Sequence, residues 1–323
     1  MANILVTGGT GFIGFHLVKH LLKEGHRVTI IDNLFRSKLD NDYEEFAHRI
    51  RFIKADLTQP LTELKLEQSY DHVFHLAAIN GVKYADQTPE RVLRTNLLST
   101  LNIMDWCARH PPKTVVFSSS SEAYHGAMDW FDLPLPTSEK VPLVVSDPSI
   151  PRYSYGASKI IGEVLTMNYA KAYGFKARIV RYHNIYGPRM GYDHVIPELI
   201  GRIQKGEKPF TLYGPDQTRA FCFVSDAVRA TYEIGILNSG DHHIVNIGNS
   251  NQEIKVRELC KQLFAVTDYE AELYEVPAPS GSPDRRCPDT SLLQQLIQYQ
   301  PEVSLEEGLK MTVEWYQSNK AES

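Results

Sequence analysis

Short apolar runs alternate with amphipathic stretches along the first half of the chain. "NILVTG", "RVTIID", "IRFIKADL", "HVFHLAA" and "TVVFSSSS" are nearly continuous in apolar, often β-branched residues. That pattern suits strands buried on both faces. Between the first two runs, "GFHLVKHLLKEG" carries Leu17, Val18, Leu21 and Leu22 at helical spacing and closes on Gly25. It predicts an amphipathic helix with a glycine stop. "TPERVLRTNLLSTLNIMDWCARH" predicts a longer one. Strand–helix alternation of this kind predicts an α/β fold, a doubly wound parallel sheet with right-handed crossovers.

After about residue 185 the pattern loosens. Prolines become frequent and the strands become short, as in "FTLYG", "HIVNIG" and "AELYEV". This predicts a first domain over residues 1–185 and a smaller C-terminal α/β substrate-binding lobe over residues 186–323, partly interwoven with it. Residues 125–152 are proline-rich and predict an ordered but irregular loop. A loop of that length is expected to serve as a substrate-side lid.

The chain has 323 residues, 42% of them hydrophobic, enough for one large core or two intertwined ones. A formal net charge of -5 without charge runs excludes a nucleic-acid footprint and an interaction tail. Cys107, Cys222, Cys260 and Cys287 are far apart and share no metal-ligand spacing. They read as reduced, buried thiols, with no metal site. "MANILVTGG" lacks the basic start of a signal peptide, and no run reaches the length of a membrane span. The expectation is a soluble cytoplasmic protein with no membrane or nucleic-acid partner.

"GGTGFIG" places Gly8, Gly11 and Gly14 between the first strand and the first helix. A side chain there would block a pyrophosphate, and the helix N-terminus offers free N–H groups and a positive dipole end. Asp32 ends the second strand, in "IIDN". A carboxylate there accepts hydrogen bonds from ribose hydroxyls and repels a 2′-phosphate, so NAD is favoured over NADP and the sheet is Rossmann-type. Asp56 ends the third strand, where it and the Leu57 N–H could read an adenine edge. A helix cap is the alternative reading of Asp56. "HLAA" brings small residues to a strand end that passes close to the cofactor, and its His75 could equally be a satisfied core histidine.

"YGASK" places Tyr155 and Lys159 four apart, on one face of a helix. An ammonium beside a phenol lowers the phenol pKa, so Tyr155 is expected to act as a base on a sugar hydroxyl while hydride leaves the same carbon.

In order, "TGGTGFIG", "HLAA", "SSSSEAY", "YSYGASK", "RYHNIYGPR" and "TRAFCFVSDAV" span essentially the whole chain. Together they resemble the extended short-chain dehydrogenase/reductase family, the NAD-dependent nucleotide-sugar epimerases and dehydratases. The resemblance implies a transient 4-keto sugar, and for many members a place in polysaccharide biosynthesis. It implies catalytic roles for Ser120, Glu122, Tyr155 and Lys159. It implies cofactor contacts from Gly8, Gly11, Phe12, Ile13, Gly14, Asp32, Asn33, Asp56 and Leu57. Leu76, Ala77, Ala78, Asn96, Ser118, Tyr182 and His183 complete that set, with Tyr155 and Lys159. Substrate contacts are implied for Lys83, Ser120, Arg152, Asn184, Arg219 and Arg286. Two phosphates call for such guanidinium groups, and Arg285 or Arg286 is expected to meet them. The substrate is expected to be a nucleotide sugar, UDP favoured, and the enzyme a homodimer that pairs its two long helices.

Three reactions stay open. A 4-epimerase needs no extra acid or base, so Glu122 argues against the simplest one. A 4,6-dehydratase resembling the dTDP-glucose enzymes has Asp before that glutamate, where this chain has Ser121. Ser120-Ser121-Glu122, Arg152 three residues before Tyr155, and "RCPDTSLLQQL" resemble UDP-glucuronate decarboxylases (UDP-xylose synthases) most. Against this, "GVK" (Gly81 to Lys83) resembles epimerases, and His125 interrupts the usual Tyr-Gly. A non-catalytic NAD-binding regulator is remote, because Tyr155 and Lys159 are both present.

Overall fold

The computed structural model describes residues 1–37, 39–240, 242–279 and 282–319. Six strands and six helices come first: β1 (Asn3–Thr7), α1 (Phe12–Lys23), β2 (Arg27–Asp32), α2 (Asn41–Ala47), β3 (Ile50–Lys54), β4 (His72–His75), α3 (Val82–Gln87), α4 (Pro89–Arg109), β5 (Thr114–Ser120), α5 (His125–Met128), α6 (Tyr153–Tyr173) and β6 (Lys176–Tyr182). The six strands and the later strand His243–Ile247 form one seven-stranded sheet, ordered β3-β2-β1-β4-β5-β6-(His243–Ile247). All its pairings are parallel. Strand order reverses between β1 and β4, where an open α/β sheet leaves its ligand crevice.

The burial pattern follows this topology. β1 and β4 sit inside the sheet and are buried at every position, whereas the edge strand β3 is half-buried or exposed throughout. α1 buries Leu17, Val18, Leu21 and Leu22 on the stripe its spacing predicts. Pro89 opens α4, and Gly174, at φ 78°, stops α6 in the left-handed conformation that glycine adopts without strain.

The "HIVNIG" run departs from its expected place in the C-terminal lobe. It pairs in parallel with β6, His243 opposite Arg178, after the crossover helix Val224–Ile236. An apolar strand of five residues has no local mark of its partner. The long crossover decided it. The rest of the C-terminal part forms small sheets, among them Thr218–Ala220 between Glu253–Lys255 and Arg285–Arg286. No helix among the described residues is long and apolar enough to cross a membrane.

Candidate active site

One cavity of about 660 Å³ opens over the switch point between β1 and β4. Its first wall is the glycine turn. Gly8 sits at φ 70°, and a Cβ on it would lie 2.8 Å from the Ala77 nitrogen. A Cβ on Gly14 would meet the Gly8 carbonyl oxygen at 2.1 Å. These two glycines let strand, turn and helix touch. Gly11 is different: a Cβ there meets only the Gly8 oxygen, at 3.3 Å, and Gly11 caps α1 without a side chain. The first-turn N–H groups of α1 are therefore left for an anionic ligand, as a pyrophosphate requires.

Asp32 is almost buried at the rim of this wall. Its carboxylate accepts from the Thr10 N–H at 3.2 Å and the Leu34 N–H at 2.9 Å. No cation pairs with it among the described residues, which suits neutral ribose hydroxyls. Asn33, Asp56 and Leu57 line the same end, with Phe12, Ile13, Leu76, Ala77 and Ala78. Asp56 closes an Asx turn by accepting from the Thr58 N–H at 2.9 Å. His75 is a satisfied core histidine, within 2.7 Å of Thr7 Oγ1 and 3.2 Å of Thr100 Oγ1.

The other end holds Ser118, Ser120, Glu122, Arg152, Tyr155, Lys159, Tyr182, Asn184 and Arg286. β5 delivers the serines, and a 3-10 turn over Ser121–Tyr124 delivers Glu122. Tyr155 and Lys159 share the inner face of α6. Lys159 Nζ lies 5.6 Å from the Tyr155 ring centre and donates to the Ser118 carbonyl at 2.7 Å. The expected lowering of the Tyr155 pKa is not found. Burial pushes the phenol above its ordinary range, and the hydrogen bond with Ser120 pulls only partly the other way. Burial also pushes Lys159 down to about 7, with Glu163 pulling upward. Desolvation of the enclosed phenol dominates, and Lys159 is not among the groups that offset it.

Glu122 is the centre of an ionic cluster. Arg286 Nη1 donates to its Oε1 at 2.6 Å, and His125 Nδ1 lies 3.4 Å from its Oε2. Burial raises the Glu122 pKa, but the Arg286 charge and hydrogen bonds from His125 and Arg286 outweigh it. They hold the carboxyl well below the usual carboxylate range. Arg219 stands beside Arg286 in the parallel strand pair. Burial, then the charge of Arg286, lowers its pKa to about 10.

Four expected site residues fall outside the cavity lining. Lys83 is exposed on the short helix α3. Asn96 is buried and clamps Ile79, accepting from its N–H at 2.8 Å and donating to its carbonyl at 3.0 Å. His183 is buried behind Tyr182, its Nε2 3.0 Å from Asn246 Oδ1. Arg219 spends its donors on Thr218 and Asp284 carbonyls and Gln217. Arg285 turns away to pair with Glu253 at 2.7 Å. Residues 125–152 are no lid: only Arg152 among them lines the cavity. The segment is stitched to the back of the site instead, with the Thr137 N–H donating to the Cys287 carbonyl at 2.9 Å and the Asp289 N–H to the Thr137 carbonyl at 2.9 Å.

Sequence reasoning missed the buried pair behind the serines. Arg181 on β6 donates to Glu163 through Nε at 2.8 Å and Nη2 at 2.6 Å, and to the Tyr124 hydroxyl at 2.8 Å. Ser119 donates to the same carboxylate at 2.5 Å. The signal was present: an arginine inside the apolar run "ARIVRY", and a glutamate one turn after Lys159. Arg36, Arg91 and Arg94, which also line the cavity, carry no local motif.

Residues 4–248 match the family model of the NAD dependent epimerase/dehydratase family. The chain belongs to this family. It is an enzyme of that family, and NAD is its cofactor. Over 321 residues it is 36% identical to a UDP-N-acetyl-alpha-D-glucosaminuronate decarboxylase of Bacillus cytotoxicus, covering 97% of each chain. A UDP-glucose 4-epimerase from Thermotoga maritima, solved with UDP-glucose, superposes with a TM-score of 0.86 at 31% identity, covering 98% of this chain and 99% of that one. A UDP-glucuronic acid 4-epimerase from Bacillus cereus, solved with UDP-4-deoxy-4-fluoro-glucuronic acid and NAD, superposes at 0.84 with 28% identity, covering 98% and 99%.

Proposed function

We propose that this family member decarboxylates a UDP-linked hexuronate, UDP-glucuronate or its 2-acetamido counterpart. The observation that carries the reading is Arg152. It lines the cavity one turn before Tyr155 and makes no hydrogen bond or ion pair among the described residues. A hexuronate differs from a neutral hexose by one carboxylate on C5, and an unpaired guanidinium is the group that holds one. The Bacillus cytotoxicus relative carries the same activity class in its name.

In this reading Ser120 orients the C4 hydroxyl and Tyr155 takes its proton. NAD, when bound, accepts the hydride from C4. The resulting C4 carbonyl can hold the electron pair left when the C5–C6 bond breaks. Burial raises the Tyr155 phenol pKa, so Tyr155 must first lose its own proton, favoured by positive charge brought into the site on binding, before it takes the one from C4. Arg152 holds the sugar carboxylate until it leaves as CO2. The Bacillus cereus neighbour favours a second reading, 4-epimerisation of the same uronate. Incubation with UDP-glucuronate and mass analysis separates them. A product lighter by one CO2 supports decarboxylation, and an isomer of unchanged mass sinks it.

We further propose a homodimer built on α4 and α6. Ile161 and Val164 on α6 are 43% and 56% exposed, more than a monomer's helix needs. A monomeric mass in solution would overturn this. All four cysteines are buried and unpaired, which supports a reducing compartment such as the cytoplasm.

A further inference from the structure

His125 interrupts the Tyr-Gly pattern, and the cavity lining does not include it. It sits directly behind Glu122, 5% exposed. Its backbone N–H donates to the Glu122 carbonyl, which fixes it to the turn that presents the carboxylate. The next residue, Gly126, is packed so closely that a Cβ would lie 2.1 Å from the Val144 oxygen. The Tyr153 ring stands edge-on at 5.6 Å. His125 is therefore held in one place.

Its Nδ1 faces two partners at once, Arg286 Nη2 at 3.1 Å and Glu122 Oε2 at 3.4 Å. One nitrogen cannot serve both. A neutral ring with its proton on Nε2 accepts from Arg286. A ring protonated on Nδ1 donates to Glu122 and releases Arg286. Arg286 keeps a further donor in reserve, since its Nε is buried without a hydrogen-bond partner. A carboxylate entering beside Arg152 can draw that guanidinium toward itself.

Decarboxylation leaves the C5–C6 electron pair on C5, delocalised into the C4 carbonyl, while C6 departs as CO2. C5 then takes up one proton. Glu122 lines the cavity, but Arg286 keeps it a carboxylate. We propose that His125 is the proton reservoir that acts through Glu122. The His125 imidazolium passes its Nδ1 proton to the Glu122 carboxylate, which passes it on to C5. Glu122 is then ionised again and His125 neutral, and solvent returns His125 to the imidazolium. One proton is consumed for each CO2 released. The inference rests on the decarboxylation reading and makes His125 a positioning residue, since it does not touch the sugar.

The test is a single turnover of the NAD-loaded enzyme with UDP-glucuronate, following NADH, CO2 and product in wild type, His125→Asn and His125→Ala. Asparagine keeps a polar group at the Nδ1 position but never carries the proton. Both variants should form NADH at the wild-type rate, which also shows that they fold. NADH reoxidation should slow by at least about tenfold, the low end for a proton-transfer group. Imidazole added to His125→Ala should restore it. Unchanged reoxidation in both variants overturns the proposal. So does an equal slowing of both phases that imidazole does not relieve. If wild type forms NADH but releases no CO2, the decarboxylation reading itself fails, separately from any result with His125.

Discussion

Backbone and shape hold the glycine-turn end of the cavity, whereas charge holds the Glu122 end. At the first, Gly8 and Gly14 leave no room for a methyl group, and Asp32 is tied by N–H groups of its neighbours. At the second, Glu122, His125 and Arg286 meet across more than 160 residues of chain, and Glu163 and Arg181 meet behind them. Backbone sterics tolerate few residue types whatever side chain stands opposite, since Gly8 meets the backbone of Ala77. An ionic cluster accepts many sequences locally but works only if every partner arrives.

The largest effect should come from the charged end. Tyr155→Phe should slow NADH formation with a UDP-hexuronate by roughly 10²–10⁴-fold, the usual contribution of a positioned base. Near-wild-type transients would remove Tyr155 from that role. Arg181→Met should lower stability by about 3–5 kcal/mol in urea unfolding, because it strands the Glu163 carboxylate in the interior. Pairing it with Glu163→Leu should recover most of the loss. If it does not, the pair does more than neutralise itself.

At the glycine-turn end, Asp32→Ala should weaken NAD binding by roughly tenfold or more, in keeping with about 1.5–3 kcal/mol for a hydrogen bond to a charged group. It should also narrow the preference against NADP, which a titration of both cofactors reads. Gly14→Ala should destabilise the protein by about 1–3 kcal/mol, since the new methyl overlaps the Gly8 carbonyl. Gly11→Ala should leave thermal unfolding close to wild type and weaken NAD binding instead. Equal behaviour of the two alanine variants would erase the distinction between packing glycine and ligand glycine.

The smallest effect concerns Lys159. Its pKa is lowered to about 7 from 10.5, so below about pH 7 it is charged in folded and unfolded chains and the burial penalty is fully present. The penalty is relieved as pH rises toward the ordinary lysine value, because the unfolded chain then binds more protons than the folded one. Lys159→Met should therefore gain most on wild type near pH 7 and least near pH 10. A gap that widens with pH would show that Lys159 is not desolvated.

Much of the first end was legible in the chain itself. Leu17 to Leu22 announced α1, the three glycines announced the turn, and Asp32 announced the rim, because each is marked by neighbours a few positions away, although Gly8 also packs on Ala77 and Asp32 is also held by Thr10. Five of the seven sheet strands were legible; β6, its apolar run broken by Arg178 and Arg181, was not named, and His243–Ile247 was expected in the C-terminal part. Asn96 and His183 were misplaced because a motif gives a residue's position along the chain and says nothing of which way its side chain turns. The proline-rich segment is no lid, and sequence misleads here because it shows the segment's length and not the extended residues Cys287 to Asp289 that back it.

Sequence alone determined the helix and strand periods, the glycine turn, and the Tyr155–Lys159 face, since these follow from short-range sterics and from the fixed pitch of a helix. Only the tertiary structure decided which cation Glu122 meets. Arg285 and Arg286 are adjacent and chemically alike, and the strand pairing beside Thr218–Ala220 sends one to Glu253 and the other to Glu122. Successive side chains of a strand point to opposite faces. The register of that pairing, set by contacts distant in sequence, therefore chose the charge that faces the reaction.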